Sequence, residues 1–229
     1  PPRSTLFPYT TLFRSALYGL SEYHRATGDP VALEKAVCLF GDIENHSYDQ
    51  IYGGYLEAAG RDWSEIRDLR LSAKDANEKK TMNTHLHILE PYTNLFRIWK
   101  DPILEQSLAR LIEVFLEKII NPKTHHLSLF FDEEYHVKGS GLSYGHDIEA
   151  SWLLMEAARE LADYKPGIYG PLLSRVTEES KNIAYAALKG LQPDGSLIYE
   201  VESSGRIDKT RHWWVQAETV VGQIGRAHV

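Results

Sequence analysis

The sequence has a single cysteine, Cys38, among its 229 residues. It can form no intrachain disulfide and no cysteine zinc cluster, which fits a reducing cytoplasm. Long apolar runs are also missing. The stretch 127–131 falls far short of the roughly 20 residues that cross a bilayer, and no basic segment precedes an apolar one, so neither membrane insertion nor signal-peptide export is expected. Positive charge is scarce as well: 25 Lys+Arg stand against 32 Asp+Glu, a formal net charge of -7. With no basic stripe to neutralise phosphates, no nucleic-acid partner is expected. GxGxxG and GxxxxGK spacings are absent, so Gly53-Gly54 and Ser140-Gly141 read as turns and not as phosphate cradles. What is present, 43% hydrophobic, 11% aromatic and 25% charged residues, is the composition of a folded globular domain.

Both ends read differently from the middle. Residues 5–15, TLFPYTTLFRS, and 224–229, IGRAHV, do not continue the pattern beside them and resemble translated sequencing-adapter DNA. The expectation is a non-native leader at 1–15, a domain at 16–223 and a non-native tail at 224–229. Setting the ends aside removes Arg3, Arg14 and Arg226 and makes the remainder more acidic.

Between those ends one grammar recurs. A helix at 16–27 runs into Gly28-Asp29-Pro30, where Gly suits a helix end, Asp an N-cap and Pro the first turn of the next helix, at 31–44. Helices at 86–100 and 103–120 flank Asp101-Pro102, about 70 residues further on, and a third pair is expected at 147–162 and 171–189, with Gly190 as the stop. A strand-like segment follows each pair, at 53–57, 127–131 and 195–200. Helix pairs that cannot each bury their own apolar face stack side by side. The fold class is therefore all-α, with short β-hairpins in the loops. A closed double ring of helices is the natural completion, and three repeats make only an incomplete arc of it.

Three segments could carry chemistry. His146 and Glu149 in YGHDIEASW share a helix face at a predicted helix start, where the macrodipole disfavours imidazolium and keeps a histidine able to take a proton. The spacing equally allows a capping box with His146 as cap. In NTHLHILE, His85 and His87 point to different sides of a helix, so a shared metal is not expected; Asn83, His87 and Glu90 form a polar stripe that faces either water or a cleft, and Pro91 would bend the helix nearby. Trp213-Trp214 suits either a sugar platform or the core. His125-His126 has no carboxylate or cysteine at ligand spacing and reads as a turn.

KTMNTHLHILEPYTNLFRIWKD (80–101), YGHDIEASWLLMEAA (144–158) and RHWWVQAE (211–218), with LYGLSEYHRATGDP (17–30), together resemble the N-acylglucosamine 2-epimerase superfamily, in the same order and across 16–223. The resemblance implies an (α/α)6 barrel with a substrate cleft at one end. It also implies reversible inversion at C2 of the reducing-end sugar of a β-1,4-linked disaccharide such as cellobiose, without metal or redox cofactor. In such enzymes the ring opens, one histidine removes the C2 proton to give a cis-enediol(ate), and a second returns a proton from the opposite face. Carried over, His146 is one of these two histidines, Glu149 its partner carboxylate and His87 the contact to the reacting hydroxyls. Asn83 and Tyr18 are polar substrate contacts, and one or both of Trp213 and Trp214 form the sugar platform. The second histidine, expected near the family's C-terminus, and a sugar-contacting arginine near its N-terminus have no counterpart, and His228 does not fill the role. The polypeptide as given is therefore expected to lack the activity. N-acylglucosamine epimerisation, mannose-type aldose–ketose isomerisation and non-catalytic carbohydrate binding are the other readings.

Overall fold

The computed structural model describes residues 9–60, 62–70 and 76–227. The first eight residues and His228 lie outside them. Seven α-helices are found among the described residues: α1 Tyr9–Thr27, α2 Pro30–His46, α3 Met82–Ile98, α4 Pro102–Val114, α5 Tyr144–Tyr164, α6 Pro166–Ala187 and α7 Trp213–Ala227. The short strands β1 Lys80–Thr81, β2 Phe130–Phe131, β3 Leu142–Ser143, β4 Glu200–Val201 and β5 Ile207–Asp208 sit in the connections. No helix among the described residues is long and apolar enough to cross a membrane.

The chain divides into two compact units. The first runs to Asp101 and includes Phe130–Lys138; the second holds Pro102–Leu129 and everything from Gly139 on. In the first, α1 packs on α2 and α3, and β1 pairs antiparallel with β2, Lys80 opposite Phe131. In the second, α5 packs on α4, α6 and α7, and β3, β4 and β5 form an antiparallel sheet with Ser143 opposite Glu200. Its core joins Ile148, Ala184, Ala187, Leu197 and Val215, with Tyr144, Tyr199 and Trp214 packed against them.

Local chemistry explains the boundaries. Asp29 caps α2, its Oδ1 accepting the Val31 N–H at 2.9 Å, and Gly28 ends α1 at φ +73, a conformation that glycine adopts without a Cβ penalty. Other expectations need correction. The helical pattern does continue beyond 16–223: α1 begins at Tyr9, α7 runs to Ala227, and Arg14 is buried, donating to Thr84 Oγ1 (3.0 Å) and the Glu57 carbonyl (3.2 Å). The helix placed at 103–120 widens after Val114 into a π-turn, Phe115–Ile119, where the Ile120 N–H bonds back five residues to Phe115. The wider turn leaves both Phe115 and Ile119 fully buried. The helix placed at 171–189 starts five residues earlier because Pro166, and not Pro171, takes the first-turn position. Similarly, α5 starts at Tyr144 and not at Asp147, because Ser143 is its cap.

Candidate active site

In the first unit, α3 rises from Thr81, whose Oγ1 accepts the Thr84 N–H at 3.0 Å. The Thr81 and Thr84 hydroxyls both donate to Glu57 Oε2. Most of α3 is buried, and the half-buried Asn83, His87 and Glu90 form the expected polar stripe. The two histidines of NTHLH have opposite surroundings. His85 is fully buried; its Nδ1–H donates to the Thr81 carbonyl (2.6 Å), and Nε2 accepts from the Tyr55 N–H (3.1 Å) and the Tyr135 hydroxyl (2.8 Å). These partners fix one neutral tautomer, and burial pulls the pKa down to about 3. His87, on the stripe, is pulled down to about 4, first by burial and then by the nearby Arg14 charge. It is neutral in ordinary buffers and can serve as a hydrogen-bond donor or acceptor. Helical structure passes through Pro91, which has no N–H to give to the His87 carbonyl four residues back. Tyr18, on α1, is 37% exposed, and its carbonyl accepts from Asn94 Nδ2 at 3.4 Å.

In the second unit, β3 delivers the chain to Ser143, the α5 cap, whose Oγ accepts the His146 N–H at 3.4 Å and lies 2.7 Å from Nδ1 of the same residue's ring. The cap is therefore Ser143, which overturns the capping-box alternative for His146 and Glu149. The His146 ring lies 5.0 Å from the Trp214 ring, tilted by 56°. Gly145 makes that approach possible, since a Cβ there would stand 2.7 Å from the Trp214 ring and 2.8 Å from Val215. His146, Glu149 and Trp152 follow one another at three-residue intervals as half-buried positions of α5. Trp152 Nε1 donates to Glu218 Oε2 at 2.8 Å across to α7. Burial raises the Glu218 carboxyl pKa above its ordinary value against the opposing effect of that hydrogen bond. The sequence reading singled out neither Trp152 nor Glu218. Both stand inside the quoted motifs, and the spacing of Glu218 four residues after Trp214 was the available signal.

The structure also separates the two tryptophans: Trp214 is packed beside His146, whereas Trp213 is 81% exposed. The turn at 121–126 is present, and each of its histidines has a carboxylate partner from a helix distant in sequence. His125 Nδ1 meets Glu179 at 2.7 Å and His126 Nδ1 meets Asp147 at 2.6 Å. Asp147, fully buried, also accepts the Leu127 N–H at 2.8 Å. Among the described residues no group of three or more His, Cys, Asp or Glu is placed to hold a metal ion.

The family model of N-acylglucosamine 2-epimerase matches residues 59–225. The chain belongs to this family. Within the family it is 60% identical over 208 residues to a cellobiose 2-epimerase of Bacteroides fragilis, covering 90% of this chain and 52% of that protein. It is 39% identical over 206 residues to a cellobiose 2-epimerase of Dictyoglomus turgidum, covering 90% and 51%. Among solved structures, the cellobiose 2-epimerase of Bacillus thermoamylovorans superposes with a TM-score of 0.87 at 37% identity, over 96% of this chain and 55% of that one. A D-mannose isomerase, with a TM-score of 0.71 at 18% identity over 93% and 52%, shares the fold. The chain thus spans about half the length of the curated relatives it matches, and its fold class is that of the α/α-barrel sugar epimerases and isomerases.

Proposed function

We propose that the full-length protein is a disaccharide 2-epimerase that inverts C2 at the reducing end of a β-1,4-linked glucosyl sugar. The observation that carries this reading is the His146–Trp214 pair on packed helices α5 and α7, in a chain 60% identical to a protein named cellobiose 2-epimerase. After ring opening, the C2–H bond breaks, its proton passes to a histidine, and the electron pair enters the C1 carbonyl to give the enediolate. A histidine on the opposite face then returns a proton to C2. Substrate and product have the same oxidation state, so no redox cofactor is needed. His146 is one of the two proton carriers, with Glu149 as its partner carboxylate. His87, held neutral by burial, donates to the reacting oxygens, where a preorganised donor in a dry site stabilises developing negative charge. Asn83 and Tyr18 contact hydroxyls, and Trp214 offers its ring to the apolar face of a sugar, with Trp213 as a more exposed platform. Cys38, a free and exposed thiol, suits a cytoplasmic location.

The full-length protein should be incubated in deuterated water with cellobiose, N-acetylglucosamine and mannose. Deuterium at C2 of cellobiose is the expected result. Exchange confined to N-acetylglucosamine would move the assignment to N-acylglucosamine epimerisation, and ketose formation from mannose would move it to isomerisation. Binding without exchange of any sugar would leave a carbohydrate-binding module.

A further inference from the structure

The turn at 121–126 sets two adjacent histidines against different helices. His125 Nδ1 meets Glu179 of α6, and both side chains are partly open to solvent. His126 reaches inward to α5. Its Nδ1 lies 2.6 Å from Oδ2 of the fully buried Asp147, whose other oxygen accepts the N–H of Leu127 at 2.8 Å. The His126 ring also stands edge-on to Tyr144, with centroids 5.8 Å apart and planes at 78°. Tyr144 in turn lies on Gly190, where a Cβ would come 2.7 Å from its ring. The turn itself is braced. Asn121 Oδ1 accepts the Lys123 and Thr124 N–H groups, the Asn121 N–H donates to the His126 carbonyl, and Leu127 bridges back to Ile120 behind the π-turn.

Tyr144 and Asp147 are three residues apart and share one face of the first turn of α5. His146 stands between them in sequence but belongs, with Glu149 and Trp152, to the opposite face. His126 therefore holds the turn from behind. The first N–H groups of a helix have no carbonyl four residues back, so this turn depends on its cap and on side-chain contacts for its placement. Without His126 the buried Asp147 Oδ2 would lose this partner, and a buried acceptor left unpaired is relieved by movement of its surroundings. Any rotation of the turn carries His146 with it. Proton transfer needs the reacting atoms aligned and within hydrogen-bond reach, so a small displacement of this ring costs rate more than binding.

We propose that His126 is a positioning residue for His146: by holding Asp147 and Tyr144 it fixes the angle at which the His146 ring meets Trp214 and the substrate. The inference rests on the reading of His146 as a proton carrier, and its test has one arm that needs no turnover. His126→Asn places an amide nitrogen near the position of Nδ1 and keeps the bond to Asp147, whereas His126→Leu removes it. In this chain the His146 ring protons feel the ring current of Trp214, 5.0 Å away. Their NMR shifts should move in His126→Leu and stay in His126→Asn. Glu179→Ala, which unpairs only His125, should leave them unchanged. In the full-length protein His126→Leu should lower kcat for C2 exchange on the order of a hundredfold with KM changed little, and His126→Asn should restore it. If His126→Leu does not fold, His126→Gln, whose amide lies one methylene further out, takes its place in both arms. Unmoved His146 shifts or an unchanged kcat in the folded variant would overturn the proposal. So would an equal effect of Glu179→Ala, since the loss would then come from a loosened turn. If the unsubstituted full-length protein shows no C2 exchange while the shifts move as expected, the epimerase reading falls and the placement of His146 by His126 stands.

Discussion

The helices that bear His87 and His146 begin alike and place them differently. Both α3 and α5 follow a two-residue strand that ends in a hydroxyl N-cap, Thr81 in one unit and Ser143 in the other. On α5 the cap itself reaches the histidine: its Oγ meets the His146 imidazole three residues on. On α3 the cap hydroxyl is taken by Glu57, the cap carbonyl takes His85, and His87 stands a turn and a half beyond with its charge state set by burial. One histidine thus has a hydroxyl against Nδ1, and the other is kept neutral by burial and by the nearby Arg14 charge. The second arrangement suits a group that donates a hydrogen bond and keeps its proton.

The sharpest way to break this comparison is to disturb the two close approaches that shape the units. Gly54 has φ +71, and a Cβ there would lie 1.6 Å from the Tyr135 hydroxyl and 2.6 Å from His85 Nε2. Gly54→Ala combines backbone strain with a clash and should cost about 3 kcal/mol or more in urea unfolding. Gly145→Ala, in ordinary helical backbone, should cost less and act on the site, displacing Trp214 from His146, visible as altered tryptophan fluorescence. Equal losses of stability for the two would contradict the distinction.

A smaller effect follows from acid. His85 and His87 have folded pKa values of about 3 and about 4, below the unfolded value of about 6.5. As pH falls below about 6.5 the unfolded chain binds protons that the folded chain refuses, so stability declines down to the folded pKa values and is fully present only above 6.5. Each histidine should remove about 2 kcal/mol between pH 7 and pH 5. Urea titrations at the two pH values should show His87→Gln losing distinctly less on acidification than the unsubstituted chain. An unchanged loss would mean that His87 titrates normally and is not buried as described.

Sequence showed the helix pairs, the Asp29 cap, the polar stripe of α3 and the approach of His146 to a helix start, because each rests on spacing within one element. It missed what depends on partners distant along the chain. Ser143 looked like loop because the strand before it has two residues and its ladder partner is Glu200. Asp147 stood out only as the first residue of an expected helix, and its partners, His126 and the Leu127 N–H, lie about 20 positions back along the chain. The Trp152–Glu218 bond links helices 66 positions apart, and no periodicity reports it. The extension of α1 through Arg14 was invisible for the same reason, since its buried acceptors come from residues 57 and 84.

The account stands most directly on whether His146 carries the C2 proton. In the full-length protein, deuterium incorporation at C2 of cellobiose should be lost in His146→Asn, by a factor on the order of a thousand or more, with cellobiose binding retained. Exchange in His146→Asn at a rate near that of the unsubstituted protein would contradict it.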